Sequence, residues 1–284
     1  MKKATISLGN GVRLACLERP GGEVPLLLLH GITDNALTWV PVLDGIDSRC
    51  RVLAPDFRGH GESAKPEAWY DTEAYADDVR HLLDAIVGQP ALLLGHSLGG
   101  VVAVQVGVTA PERVRGLFLE DPPLYFVNDL NEIYRTLFEA MVMMAKTLQD
   151  GSRSADHWFE VMANAPDPYT GRPGIETMGE AKIRLRIDSI GMMLPKALED
   201  GLAGSLEWET DNVLAGLTCP VTVITGDPAL GAVMTPEEAA RVAEVVPHAR
   251  AIQVDGVGHL IHDQQPEAWL EAVNGWIEDV LAPA

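Results

Sequence analysis

Residues 92–100 read Leu-Leu-Leu-Gly-His-Ser-Leu-Gly-Gly and place one serine, Ser97, between two apolar runs. The first run, residues 91–94, lacks polar alternation, which is typical of a parallel strand covered on both faces. The second run, residues 101–109, stops at an Ala-Pro pair and indicates a helix that starts right after the serine. Residues 95–99 therefore fit G-x-S-x-G in the strand, turn and helix context that this pattern requires.

The two glycines of this pattern have a steric role. A nucleophile on a sharp turn leaves little space around it, so Gly95 and Gly99 are expected to let strand and helix approach closely. Ser97 is expected at the strand end, beside a helix N-terminus whose free N–H groups favour negative charge. The plainer alternative is an ordinary strand-to-helix turn with a capping serine.

The composition of the 284-residue chain argues against several classes of protein. A formal net charge of −20 disfavours nucleic acid and anionic membrane surfaces as partners. No stretch approaches the roughly 18 consecutive apolar residues of a membrane span, and residues 4–13 offer no apolar signal-peptide core. We therefore expect a cytoplasmic protein. The three cysteines show no metal-ligand spacing and are expected to be buried thiols: Cys16, Cys50 and Cys219.

The order of strands and helices divides the chain into a core and an insertion. Strand and helix patterns alternate over residues 1–123 and resume over 213–284, which predicts an α/β core. Residues 124–212 carry helical periodicity and no convincing strand, which predicts an inserted helical cap, or lid. The helices predicted there are 131–148, 155–162, 175–190 and 194–202. The cap holds seven of the nine methionines, which would form an adaptable apolar roof or simply pack its helices together.

Three more motifs follow predicted strands: His30-Gly31, then Asp56-x-Arg58-Gly59-His60-Gly61-x-Ser63, and finally Gly256-Val257-Gly258-His259. Together with the serine motif, in this order, they make the chain resemble the lid-bearing branch of the α/β-hydrolase superfamily from end to end. The resemblance implies an eight-stranded, mostly parallel sheet flanked by helices. Functional sites of such sheets lie at the carboxyl ends of the strands, where these motifs fall.

The resemblance also implies a catalytic triad. A serine hydroxyl needs a base to take its proton, and His259 matches the base position of the family, after the last strand. His96 and His262 are expected to have surface or packing roles. By resemblance, the backbone N–H groups of Ile32 and Leu98 form the oxyanion hole.

The acid of the triad is less clear, because Ala229 occupies the family's usual position and a methyl group cannot orient an imidazolium. Asp227 lies in the same loop but two residues early. Asp121 follows the next predicted strand, 24 residues after Ser97. Zearalenone-type lactonases and certain haloalkane dehalogenases supply the acid from a similar place. We favour Asp121 and expect its neighbour Glu120 to face the opposite side of the strand.

These assignments predict a serine hydrolase of the carboxylesterase or lactonase class. Its substrate is expected to be a small, mostly apolar ester or lactone, cleaved through an acyl-enzyme intermediate. No metal or organic cofactor is implied, no partner beyond the substrate is expected, and a homodimer is left open. Three alternatives remain: a carbon–carbon bond hydrolase of the dienoate type, a cofactor-free perhydrolase, and a ligand-binding receptor with a weak triad.

Overall fold

The computed structural model describes residues 1–86, 88–125, 132–202 and 210–282. Its centre is an eight-stranded sheet with the strand order β1-β2-β4-β3-β5-β6-β7-β8. The strands are β1 (Lys2–Ser7), β2 (Arg13–Arg19), β3 (Val24–Leu29), β4 (Cys50–Pro55), β5 (Ala91–His96), β6 (Val114–Glu120), β7 (Val221–Thr225) and β8 (Ala249–Gln253). Strand β2 runs antiparallel to β1 and β4, and the other neighbours pair in parallel. The predicted α/β-hydrolase architecture is therefore confirmed.

The helices lie between and after these strands. They are α1 (Thr72–Ile86), α2 (Leu98–Thr109), α3 (Glu132–Gln149), α4 (Ala155–Asn164), α5 (Gly174–Thr177), α6 (Glu180–Gly191), α7 (Pro195–Leu202), α8 (Thr210–Leu214), α9 (Pro236–Val245), α10 (Ile261–Gln264) and α11 (Pro266–Leu281). Short 3₁₀-helices span Ala36–Trp39, Leu43–Gly45, Pro111–Arg113 and Pro228–Leu230. Among the helices of the described residues, none is long and apolar enough to cross a membrane.

Strand β3 shows why the central strands lack polar alternation. Successive side chains of a strand point to opposite faces. Leu27 and Leu29 pack into the cluster that contains the buried residues of α1 and α2, whereas Leu26 and Leu28 pack into the cluster that contains Trp269 of α11. Since both faces are covered, every residue of the neighbouring β5 is also buried.

The chain between β6 and β7 contains α3 to α8, and its described residues include no strand beyond an isolated bridge between Pro166 and Pro173. The prediction of one helix over residues 175–190 was wrong, because α5 ends at Thr177 and α6 begins at Glu180. Gly179 lies between them with a φ of 77°, a conformation that a right-handed helix cannot include. The division into a core and a cap over residues 124–212 remains a prediction.

The three cysteines are buried and unpaired with one another. Burial raises the pKa of Cys16 to about 12 and the pKa values of Cys50 and Cys219 to about 11. The thiols are therefore protonated at neutral pH, as expected of inert packing residues.

Candidate active site

Ser97 occupies the sharp turn between β5 and α2. Its φ of 52° and ψ of −119° are unusual for a residue other than glycine, and such strain is typical of functional positions. The turn is held to the next strand by a hydrogen bond of 2.9 Å from the Ser97 N–H to the Glu120 carbonyl oxygen. A Cβ atom on Gly95 would overlap the backbone of Gly99, and one on Gly99 would overlap the Leu29 carbonyl. The two glycines therefore permit the close approach predicted for them.

Asp121 and His259 form a hydrogen-bonded pair at the carboxyl ends of the central strands. The His259 Nδ1 atom lies 2.6 Å from Oδ2 of Asp121, which is fully buried. The carboxylate also accepts hydrogen bonds from the backbone N–H groups of Val233 at 2.8 Å and Met234 at 3.1 Å. An ionised carboxylate accepts only, so Nδ1 of His259 donates and, in the neutral ring, Nε2 is left as a free acceptor.

The two acid candidates have different surroundings. Asp227 accepts a hydrogen bond of 2.8 Å from the N–H of Ala229 and so caps the 3₁₀-helix after β7. The same loop continues to Val233 and Met234, whose N–H groups donate hydrogen bonds to the Asp121 carboxylate. The structure thus brings Asp121 to the histidine and gives Asp227 a local capping role.

Leu98 directly follows Ser97, and Ile32 lies after β3, the strand that pairs with β5. Within the described parts of the chain, neither backbone N–H donates to a protein acceptor. The Ile32 carbonyl oxygen lies 2.7 Å from Nε2 of His60, which fixes the backbone of this loop. His30 adds a second brace, because its Nε2 accepts a hydrogen bond of 3.0 Å from the Phe57 N–H. Burial lowers the pKa of His30 well below its usual value and keeps that nitrogen an acceptor.

Asp56 and Arg58 brace neighbouring loops. The Nε and Nη2 atoms of Arg58 donate to the two carboxylate oxygens of Asp78, each at 2.6 Å. Asp56 accepts hydrogen bonds of 2.8 Å from the N–H groups of Ala36 and Glu62. Burial raises the pKa of Asp56 although these bonds oppose the shift. Asp56 therefore supports the segment after Ile32, and Arg58 ties the loop after β4 to α1.

Glu120 and His262 form a second carboxylate–histidine pair, which the sequence did not predict. His262 is not on the surface but fully buried, with its Nδ1 2.8 Å from Oε1 of Glu120 and its Nε2 2.9 Å from Oγ1 of Thr38. Trp269 donates an indole N–H to the other Glu120 oxygen at 2.9 Å. Burial opposes protonation, but the charge and hydrogen bond of Glu120 outweigh it and raise the pKa of His262. Strand alternation, which sends Glu120 and Asp121 to opposite faces, was the available signal.

His96 separates the two pairs. Its ring centroid lies 4.6 Å from that of His259 and 5.2 Å from that of His262, and its Nε2 lies 3.1 Å from the His259 carbonyl oxygen. In the described chain its Nδ1 has no hydrogen-bond partner, and the nearest carboxylate oxygen, from Asp34, is 3.8 Å away. Burial lowers the pKa of His96 well below its usual value, and the charges of His259, His262 and Arg186 add to this effect. The ring is therefore neutral and acts as a spacer.

Comparison with known proteins agrees with this fold. Residues 26–272 match the family described as "Alpha/beta hydrolase family", to which the chain therefore belongs. A 2-(acetamidomethylene)succinate hydrolase from Mesorhizobium japonicum is 26% identical over 275 residues, which cover 94% of this chain and 92% of the relative. These comparisons and the fold identify the protein as a hydrolase.

Two solved structures show the same fold. An N-formylmaleamic acid deformylase from Pseudomonas putida has a TM-score of 0.78 at 23% identity, with 96% of this chain and all of that chain covered. A thermophilic esterase from Thermogutta terrifontis, solved with malate bound, has a TM-score of 0.76 at 23% identity and covers 99% of this chain and 100% of its own. At this identity the two matches support the architecture alone.

Proposed function

We propose that this hydrolase is a serine enzyme that cleaves a small carboxylic ester or lactone through an acyl-enzyme intermediate. The observation that carries the proposal is the 2.6 Å contact between the buried Asp121 and His259. It lies at the carboxyl ends of the strands, where Ser97 occupies a strained turn. A buried carboxylate with two backbone donors fixes the imidazole tautomer that a general base requires.

In the first half of the reaction, Oγ of Ser97 attacks the ester carbonyl while Nε2 of His259 takes its proton. Negative charge develops on the carbonyl oxygen and is held by the N–H groups of Ile32 and Leu98. Asp121 stabilises the imidazolium. Collapse of the tetrahedral intermediate breaks the bond to the leaving oxygen, which receives the proton from His259.

In the second half, His259 takes a proton from a water molecule, whose oxygen attacks the acyl carbon on Ser97. The second tetrahedral intermediate uses the same two N–H donors. Its collapse releases the carboxylic acid and returns the proton to the serine. No electron acceptor is needed, because each step transfers only an acyl group and protons.

An amide is the second candidate substrate. The relative from Mesorhizobium is named for an acetamido-bearing succinate, and the structural match from Pseudomonas is named a deformylase. The same residues would cleave an amide, since His259 can protonate a leaving nitrogen as it does an oxygen. Turnover of an N-acyl substrate in preference to its ester analogue would favour this second candidate.

The proposal is tested by comparing hydrolysis of p-nitrophenyl butyrate by the wild type, Ser97→Ala and the control Ser152→Ala. We expect turnover by the wild type and the control and a loss of about 10⁴-fold or more in Ser97→Ala. Labelling with diisopropyl fluorophosphate, followed by peptide mass spectrometry, is expected to place the adduct on Ser97. Turnover that survives in Ser97→Ala, or an adduct on another serine, would contradict the assignment.

A further inference from the structure

One face of α6 is hydrogen-bonded to two segments near the candidate active site. Lys182, Arg186 and Ser189 follow one another at spacings of four and three residues, which places them on the same side of the helix. Nζ of Lys182 donates to the Asp263 carbonyl oxygen at 2.9 Å. Oγ of Ser189 accepts a hydrogen bond of 3.1 Å from Nδ2 of Asn35. The two ends of this face are therefore attached to the body of the protein.

The attachment points lie close in the chain to two candidate catalytic groups. Asp263 follows His259 by four residues, and Asn35 follows Ile32 by three. Arg186 lies between the two attachments along this face of the helix, which places it near the segments that carry the histidine and the oxyanion candidates. Its influence on the pKa of His96, after burial and the two neighbouring histidines, agrees with this position.

Arg186 differs from the neighbouring cations in its lack of a partner. It is half-buried, yet it forms no hydrogen bond or ion pair with any residue in the described ranges. Arg184, two residues earlier, faces outwards and pairs with Glu180 at 2.8 Å and Asp156 at 3.4 Å. A half-buried guanidinium has five donors to satisfy, and in a chain of net charge −20 an unpaired one is available to an anion.

We propose that Arg186 binds a carboxylate of the substrate, carried on the part remote from the scissile carbonyl. This inference rests on the proposed function and gives its substrate a negative charge, in place of the mostly apolar group expected from the sequence. A guanidinium matches a carboxylate with two parallel hydrogen bonds, so it would both attract the anion and fix its orientation. Neutral esters would lack this anchor and bind more weakly.

The test compares monomethyl succinate with methyl levulinate, in which a methyl ketone replaces the carboxylate at nearly the same size. Hydrolysis is followed by pH-stat titration for the wild type, Arg186→Gln, Arg186→Lys and the control Arg184→Gln. We expect Arg186→Gln to lower kcat/KM for monomethyl succinate by about 10- to 100-fold, mostly through KM, and to leave methyl levulinate nearly unchanged. Arg186→Lys is expected to recover part of the loss, and Arg184→Gln to match the wild type.

A binding measurement separates this inference from the reaction itself. Thermal unfolding is followed in sodium succinate and in sodium chloride of equal ionic strength, and we expect succinate to stabilise the wild type and Arg184→Gln but not Arg186→Gln. If neither ester is hydrolysed while this pattern holds, the proposed esterase activity fails and the carboxylate site stands. If Arg186→Gln keeps both the succinate effect and the wild-type ratio of the two esters, the carboxylate site is refuted. An absent succinate effect in the wild type, together with no preference for the charged ester, refutes it equally.

Discussion

Replacing Asp121 with asparagine tests the acid of the proposed triad most directly. Oδ2 of Asp121 accepts from His259 and Val233, and Oδ1 accepts from Met234 and lies 2.9 Å from Oγ1 of Thr225. Asparagine has one acceptor oxygen, so its NH₂ group must face at least one buried N–H. The less costly orientation keeps the oxygen towards His259 and turns the NH₂ group towards Met234.

The size of the effect follows from this geometry. Even in the better orientation the imidazolium loses its counter-charge, and in the other orientation His259 is driven into the wrong tautomer. Similar losses in serine hydrolases reach about 10⁴-fold, so we expect kcat to fall by about 10²- to 10⁴-fold, or about 3–5 kcal/mol of transition-state stabilisation. The unpaired Met234 N–H is expected to cost about 1–3 kcal/mol of folding stability.

The assay is hydrolysis of p-nitrophenyl butyrate, with unfolding in urea measured in parallel. Asp227→Asn is the matched control, because asparagine caps a helix as well as aspartate does and, among the described residues, the Asp227 side chain accepts only from the Ala229 N–H. We expect this control to retain activity within about twofold, as surface substitutions away from a site usually do. If Asp227→Asn abolished activity and Asp121→Asn did not, the reasoning would be refuted.

Two further predictions concern stability. His262→Asn removes the buried partner of Glu120 and is expected to cost about 3–5 kcal/mol of unfolding free energy. Because folding raises the pKa of His262, the loss is full below the unfolded-state value of about 6.5 and shrinks as pH rises through the folded value, which urea unfolding at several pH values will check. Gly99→Ala is expected to lower the melting temperature, since its Cβ overlaps the Leu29 carbonyl. Gly275 lies in α11 with open space around a Cβ atom. Gly275→Ala is expected to stabilise the fold by about 0.5–1 kcal/mol and so to raise the melting temperature.

The fold was predictable because its strands and breaks are locally encoded. The unbroken leucine runs of β3 and β5 require burial on both faces, and the glycines beside Ser97 require a tight turn. The break at Gly179 was less visible, because periodicity continues through residues 175–190 and only the positive φ of that glycine separates α5 from α6. Residues 126–131 and 203–209, which belong to the predicted cap, lie outside the described residues.

The site was predictable where a residue's position in the chain fixes its position in space. Ser97 and His259 follow strand ends, so their place at the carboxyl edge follows from topology. The contacts of Asp121 depend instead on the conformation of the loop after β7. No local sequence pattern predicts that the N–H groups of Val233 and Met234 donate to its carboxylate. The proposed role of Arg186 was missed for a similar reason, because it depends on tertiary contacts at both ends of α6.

The pairs Asp121–His259 and Glu120–His262 come from the same two chain segments and contain the same two kinds of group. They differ in their surroundings. The side chain of His262 is 1% exposed and its Nε2 is hydrogen-bonded to Thr38, so no substrate can reach it. The side chain of His259 is 28% exposed, and its Nε2 faces no described protein partner. Access and a free acceptor, and not the acid–base pair itself, separate a proton-transfer site from a packing element. The carboxylate site proposed at Arg186 would then determine which molecules occupy the accessible side.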